Sequence, residues 1–239
     1  MTAPPVDQHR LALEAVISAA ISDLANAWID GDPVAIRDAL AVSLPPLAAE
    51  YGSAAATLGA DWYDDLRAAA GEPGRFRAIP AELPDEGLFE SLVGWGTTPL
   101  FVGSPDLDGY QPKLGDPDFV PDLDAAKTRM DGGFQKLVAD MNRDTIQGSL
   151  RRDPRGKGWS RQTTGKSCPF CVMLAGRGTV YSAQTANFSS HNNCDCIAVP
   201  IFGSDPRPVV PYVPSQRRQT DSQRAASNAR VREFIRANP

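Results

Sequence analysis

All four cysteines of this chain fall between positions 168 and 196, and one of its two histidines lies among them. The order is Cys168-Pro169-Phe170-Cys171, nineteen further residues, and then His191-Asn192-Asn193-Cys194-Asp195-Cys196. Two cysteines separated by two residues in a turn can point both sulfurs at one ion, which is half of a tetrahedral zinc site. His191 and Cys194 repeat that spacing, and Cys196 is a fifth donor where a tetrahedral site needs four. Thiolate and imidazole ligands select zinc among the common ions and imply no redox chemistry. The candidate metal ligands are therefore Cys168, Cys171, His191, Cys194 and Cys196. The expected cofactor is one structural zinc ion, and which four residues bind it stays open.

Other uses of the cluster fit less well. Met1–Asp7 lacks the basic start, apolar stretch and cleavage site of a signal peptide, so synthesis in a cytoplasm is expected, where structural disulfides are rare. No βαβ pattern surrounds Cys168 and Cys171, as a thioredoxin-like pair would require. Catalytic zinc needs a carboxylate base nearby, and Asp195 is the only acidic residue between Asp153 and Asp205. A serine-histidine hydrolase would have to use His9 or His191, and no Gly-x-Ser-x-Gly elbow is present. The expectation is a protein that is not an enzyme, with no catalytic residue and no small-molecule substrate.

The elements around the cluster are predicted from periodicity. Thr179-Val180-Tyr181 and Cys196–Phe202 read as short strands, giving a β-rich unit of about 45 residues whose core needs a staple. Upstream, Leu13, Val16, Ile17, Ala20, Ile21, Leu24 and Trp28 form one stripe of an amphipathic helix. Asp32-Pro33 opens a second helix, predicted to stop near Ser43 because Pro45-Pro46 follow. A third is expected from Pro46 to Ala70, facing a core through Leu47, Tyr51, Ala54, Ala55, Leu58, Trp62 and Leu66, with Gly71 as its C-terminal cap. A helix is expected over Asp85–Trp95, an extended proline-rich excursion over Thr97–Pro121, and a long helix over Asp122–Leu150. In that long helix Met130, Phe134, Leu137, Val138 and Met141 face inward, and Gly132-Gly133 weaken it by about 1 kcal/mol each. The fold class predicted is mainly α with a small α+β zinc-knuckle module. The organisation expected is a helical hairpin or three-helix region over 1–71, a linker, excursion and long helix over 72–152, the metal-binding module over 153–203, and a proline-rich arm with a basic tail over 204–239.

The chain has 239 residues, 42% hydrophobic and 22% charged, ordinary for a protein with a buried core, while its 21 prolines and 20 glycines are on the high side and predict loops between the helices. No run approaches the apolar length of a membrane span. The net charge of −5 hides a division. Met1–Asn142 holds 9 Lys and Arg against 23 Asp and Glu, whereas Arg143–Pro239 holds 15 against 6. A basic half can meet phosphate or an acidic protein surface. Arg151, Arg152, Arg155, Lys157, Arg161 and Lys166, just before the knuckle, form the cluster that could contact nucleic acid. In Ser215–Pro239 six arginines surround Val231, Phe234 and Ile235 at three-and-four spacing, the pattern of a segment that docks on a partner.

Asp153-Pro154-Arg155, Gly158-Trp159, Ser167-Cys168-Pro169-Phe170-Cys171, Leu174-Ala175-Gly176-Arg177-Gly178, Val180-Tyr181, His191-Asn192-Asn193-Cys194-Asp195-Cys196 and Val199-Pro200 together resemble one known module. It is the C-terminal module of the Mu F-like minor capsid, or head-morphogenesis, proteins of tailed phages, in the form found in phages of actinobacteria. The helical front, with Glu50-Tyr51-Gly52, Ala54-Ala55-Ala56 and Trp62-Tyr63-Asp64-Asp65-Leu66-Arg67, is similar to the same group. The resemblance implies a virion protein in the capsid interior, partnered by the portal and other head proteins and acting in head assembly or genome delivery. Packaged DNA is a further expected partner through the basic half, and no membrane is. The alternative function is a nucleic-acid-binding zinc protein.

Overall fold

In the computed structural model, residues 6–106, 109–163, 167–183, 187–188, 190–194 and 196–207 are described, together with single positions between 220 and 233. Lys166, Asp195, Phe234, Ile235 and most of the tail lie outside the described residues.

The chain is mainly helical, with a small three-stranded sheet. Among the described residues the elements are α1 (Val6–Ala25), α2 (Pro33–Ala69), α3 (Glu86–Gly96), α4 (Leu123–Arg152), β1 (Gly156–Gln162), α5 (Pro169–Ala175), β2 (Tyr181–Ser182) and β3 (Ile197–Phe202). None of these helices is long and apolar enough to cross a membrane. Local chemistry starts α2 as expected: the Asp32 carboxylate accepts from the N–H groups of Val34 and Ala35, and Pro33 occupies the first helical position. Gly71, just beyond its end, takes φ +71°, which a residue with a Cβ resists. Asp122 caps α4 through the Ala125 N–H.

The first correction concerns Pro45 and Pro46, which lie inside α2 and do not divide it. Each proline removes an intrahelical donor, leaving the carbonyls of Ala41 and Val42 without their usual partners. Val42 is 77% exposed, so water reaches that side. On the opposite side Leu40, Leu44 and Ala48 run buried straight past the prolines. That burial holds the two halves on one axis, and the front of the chain is a hairpin of two helices instead of three.

The second correction is the seam of α2. Ala55 and Trp62 are buried as expected, but the fully buried line otherwise runs through Ala48, Gly52, Ala56, Gly59 and Tyr63, while Leu47, Tyr51, Leu58 and Leu66 are only partly buried at its flank and Ala54 is exposed. Small residues win because α4 approaches closely: a Cβ at Gly59 would come within 2.9 Å of Asn142 and one at Gly52 within 3.3 Å of Met141. Asn142 ties three helices at this crossing. Its amide donates to the Ala55 carbonyl at 2.9 Å, and its Oδ1 accepts from His9 Nε2 at 3.2 Å. His9 is buried and stacked on Trp62 with ring centroids 3.9 Å apart.

The sheet has the order β2-β1-β3, antiparallel throughout, with Trp159 paired to Tyr181 on one side and Pro200 on the other. β3 matches the predicted strand, and β2 begins at the last residue of the other. The central strand β1 carries no clear alternation of apolar residues, and it is recognised only through its two neighbours. Its Trp159 is buried, stacked on Tyr181, and shares one apolar cluster with α2 and α4. The junction between α4 and β1 is held by Asp153, whose buried carboxylate accepts from Arg67 Nε at 2.8 Å, Tyr63 Oη at 3.1 Å and the Arg155 N–H at 3.0 Å.

Candidate metal centre

The two halves of the cysteine-histidine cluster come from opposite ends of the small module. Cys168 is the N-cap of α5, with its sulfur accepting from the Cys171 N–H, and Cys171 lies in the first turn of that helix. The expected Cys168–Cys171 turn is thus the opening of a short helix, with Pro169 at its first position. His191, Cys194 and Cys196 belong to the segment that leads into β3.

The structure gathers all five candidates into two overlapping triples, Cys168–Cys171–His191 and Cys171–Cys194–Cys196. Within each triple the donor atoms lie within 4.8 Å of one another, and Cys171 is common to both. Cys171 Sγ is 3.7 Å from His191 Nε2 and 3.7 Å from Cys194 Sγ. Donors on a tetrahedral zinc with bonds of about 2.3 Å stand roughly 3.8 Å apart, so these edges fit such an ion. Cys168 Sγ and His191 Nε2 are closer, at 2.8 Å, the distance of a direct hydrogen bond. His191 Nδ1–H donates to the Asn192 carbonyl at 2.6 Å, which leaves Nε2 turned toward the sulfurs. The cluster can bind a metal ion.

Its electrostatics divide the four sulfurs, favouring the thiolate at Cys168 and Cys194 and the thiol at Cys171 and Cys196. Burial alone would raise the Cys168 thiol, but the Cys171 N–H and His191 outweigh it and hold it below the ordinary value. Hydrogen bonds to the Asn192 carbonyl and to Cys168 raise His191. Cys194 is lowered to about 5, chiefly by the hydrogen bond from the Cys196 thiol and, against the cost of burial, by the Arg143 guanidinium. Cys196 is correspondingly raised, and burial pushes Cys171 up to about 11.

Sequence reasoning missed the groups that hold this cluster in place. The segment carrying His191 and Cys194 lies along α4 and is fastened at successive turns. Gln147 Oε1 accepts from the Phe188 N–H at 3.1 Å, and Asp140 Oδ1 accepts from Ser190 Oγ at 2.9 Å. Arg143, 1% exposed, donates to the Cys194 carbonyl at 2.8 Å and to the Cys196 carbonyl at 2.7 and 2.9 Å. Its remaining nitrogen reaches Asp140 at 2.6 Å. Phe188 lies between two guanidinium groups, with Arg143 4.8 Å and Arg161 3.7 Å from its centroid, and Arg161 also approaches Cys171 Sγ at 3.9 Å. Two cations thereby offset the negative charge of clustered thiolates.

The glycine pair of α4 acquires a reason here. A Cβ on Gly132 would sit 3.0 Å from the Asn193 amide and 3.2 Å from Asn192 Cβ, and one on Gly133 would sit 2.4 Å from Leu92 of α3. The helix gives up propensity at those two positions so that the knuckle and α3 can lie against it. A usable signal for the anchors exists in the sequence: Asp140, Arg143 and Gln147 recur at three-and-four spacing inside a helix that is otherwise buried on most sides.

The basic cluster ahead of the knuckle is partly absorbed into the fold. Arg161 is buried and Lys157 pairs with Asp205 at 3.2 Å, which leaves Arg151, Arg152 and Arg155 exposed. A family model described as VG15 protein matches residues 1–220. Comparison with curated proteins and with solved structures gives no match.

Proposed function

Because the chain belongs to the VG15 protein family, a family of phage gene products, we propose that it is a structural, non-enzymatic component of a tailed-phage head, a minor capsid protein of the Mu F-like kind. The observation that carries this reading is the fastening of the metal cluster to the largely buried helix α4 through Arg143, Asp140, Gln147 and Gly132. Such a centre locks a loop and a sheet onto a helical body, which is the work of a structural ion. In this reading the ion is zinc, held by Cys168, Cys171, His191 and Cys194. Bound there, zinc would supply folding energy to a module with a small apolar core. Cys196 then serves as a thiol that donates to Cys194, and its own carbonyl is held by Arg143. The partners are the portal and other head proteins in the capsid interior.

The nucleic-acid reading is the weaker one, because Arg143 and Arg161 are buried and engaged inside the molecule and Lys157 is paired with Asp205 at the surface. Contact with packaged DNA would rest on Arg151, Arg152, Arg155 and the tail. Two measurements test the proposal. Mass spectrometry of purified particles should find the chain in the virion, and its absence there refutes the head role. Elemental analysis of protein purified without added metal should give near one zinc per chain. Cys168→Ser, Cys171→Ser and Cys194→Ser should lose that zinc and Cys196→Ser should keep it; metal-free cysteines in disulfides would refute the centre.

A further inference from the structure

We propose that the groove between α3 and α4 receives the basic C-terminal segment Ser215–Pro239 of a second copy of this chain. The groove is a cavity of about 620 Å³ on the face of the molecule formed by both helices. Its floor is apolar, with Leu88, Leu92 and Trp95 from α3 and Leu137 and Met141 from α4. Leu88 is 47% and Trp95 43% exposed, more than solvated helices need to show side by side. Glu82 and Asp144 also line it, and the one cation among its lining residues, Lys136, is paired with Asp140.

The occupant is chosen by complementarity. Ser215–Pro239 carries six arginines against Asp221 and Glu233, and its only cluster of large apolar residues is Val231, Phe234 and Ile235. Their i, i+3, i+4 spacing puts them on one face of a helix, the pattern of a helix laid in an apolar groove with cations meeting its acidic side chains. Ala225, Ala226, Arg230 and Glu233, described positions of that segment, are exposed on their own chain. The preceding arm contains Pro206, Pro208, Pro211 and Pro214, a composition that favours an extended chain. A groove on one copy and a tail on the next make a heterologous contact, which adds copies head to tail. This contact stands apart from the head-protein reading and survives or fails without it.

The test is sedimentation of the full-length, metal-loaded chain. Wild type should associate with rising concentration up to about 0.1 mM, and association should weaken at least tenfold as salt is raised through the range that screens surface charge. Leu88→Arg, in the groove, and Phe234→Ser/Ile235→Ser, in the tail, should each be monomeric. Mixed together they should form a 1:1 complex, because one supplies an intact tail and the other an intact groove. Circular dichroism and metal content check that each variant is folded. Should Leu88→Arg fail that check, Glu82→Lys/Asp144→Lys takes its place with the same expectation. A wild type that stays monomeric overturns the proposal, including the case in which the tail seats on its own chain. So does undiminished association of either variant alone, or a mixture that remains monomeric.

Discussion

Replacing Arg143 by Met removes the brace of the metal centre while keeping a long apolar side chain in α4. The guanidinium is 1% exposed and its donors satisfy the carbonyls of Cys194 and Cys196. Each buried carbonyl left without a donor costs about 1–3 kcal/mol. Asp140 loses a partner at 2.6 Å but keeps Lys136 and Ser190, so its share of the loss is smaller. Packing of the Met side chain recovers part of the loss, and the net expectation is destabilisation by about 2–5 kcal/mol. A domain is stable by about 5–15 kcal/mol in total, so the urea midpoint should fall by roughly 1–2 M. Arg143→Lys should recover only part of it, because one ammonium cannot reproduce a planar fork that serves two carbonyls. Chelator competition should also show faster metal loss from Arg143→Met, since Cys194 is held only by its neighbours in the chain. Equilibrium urea unfolding decides the matter. An unfolding free energy within about 0.5 kcal/mol of wild type for Arg143→Met would refute the role of that brace.

Three further perturbations probe other parts of the fold. Gly133→Ala should lower stability by about 1–3 kcal/mol through its clash with Leu92, whereas Gly94→Ala, whose Cβ meets nothing within 4 Å, should raise it by about 0.5–1 kcal/mol. Thermal unfolding that moved both variants the same way would contradict these contacts. Breaking the buried pair at the α4–β1 junction with Arg67→Met should cost about 3–5 kcal/mol, because Asp153 is fully buried and would keep only Tyr63 and a backbone donor. Denaturant unfolding measures this, and a loss below about 1 kcal/mol would remove the pair from the account. Burial holds His9 at about 4 against an ordinary 6.5, so below pH 6.5 the unfolded chain binds more protons than the folded one. Stability should therefore be full above pH 6.5 and fall by about 3 kcal/mol as pH drops toward 4, with the slope flattened in His9→Phe. An unchanged slope in that variant would assign the acid sensitivity to other groups.

The gathering of cysteine and histidine donors and the helical class were legible in the sequence because both are local. Donor types and short spacings define the cluster from Cys168 to Cys196, and caps such as Asp32, Asp122 and Gly71 act on the backbone within a few residues of themselves. Tertiary structure decided what depends on a neighbour. Pro45 and Pro46 signal a break locally, and the buried line of Leu40, Leu44 and Ala48 overrides it. The large residues of α2 advertise one face, yet close approach of α4 selects the small-residue line beside it. β1 acquires its pairing from β2 and β3, which come later in the chain. Arg143 reads as an ordinary surface cation until the segment between β2 and β3 is laid along α4. Its role rests on carbonyls more than fifty positions away, and only the folded chain brings them within reach of one guanidinium.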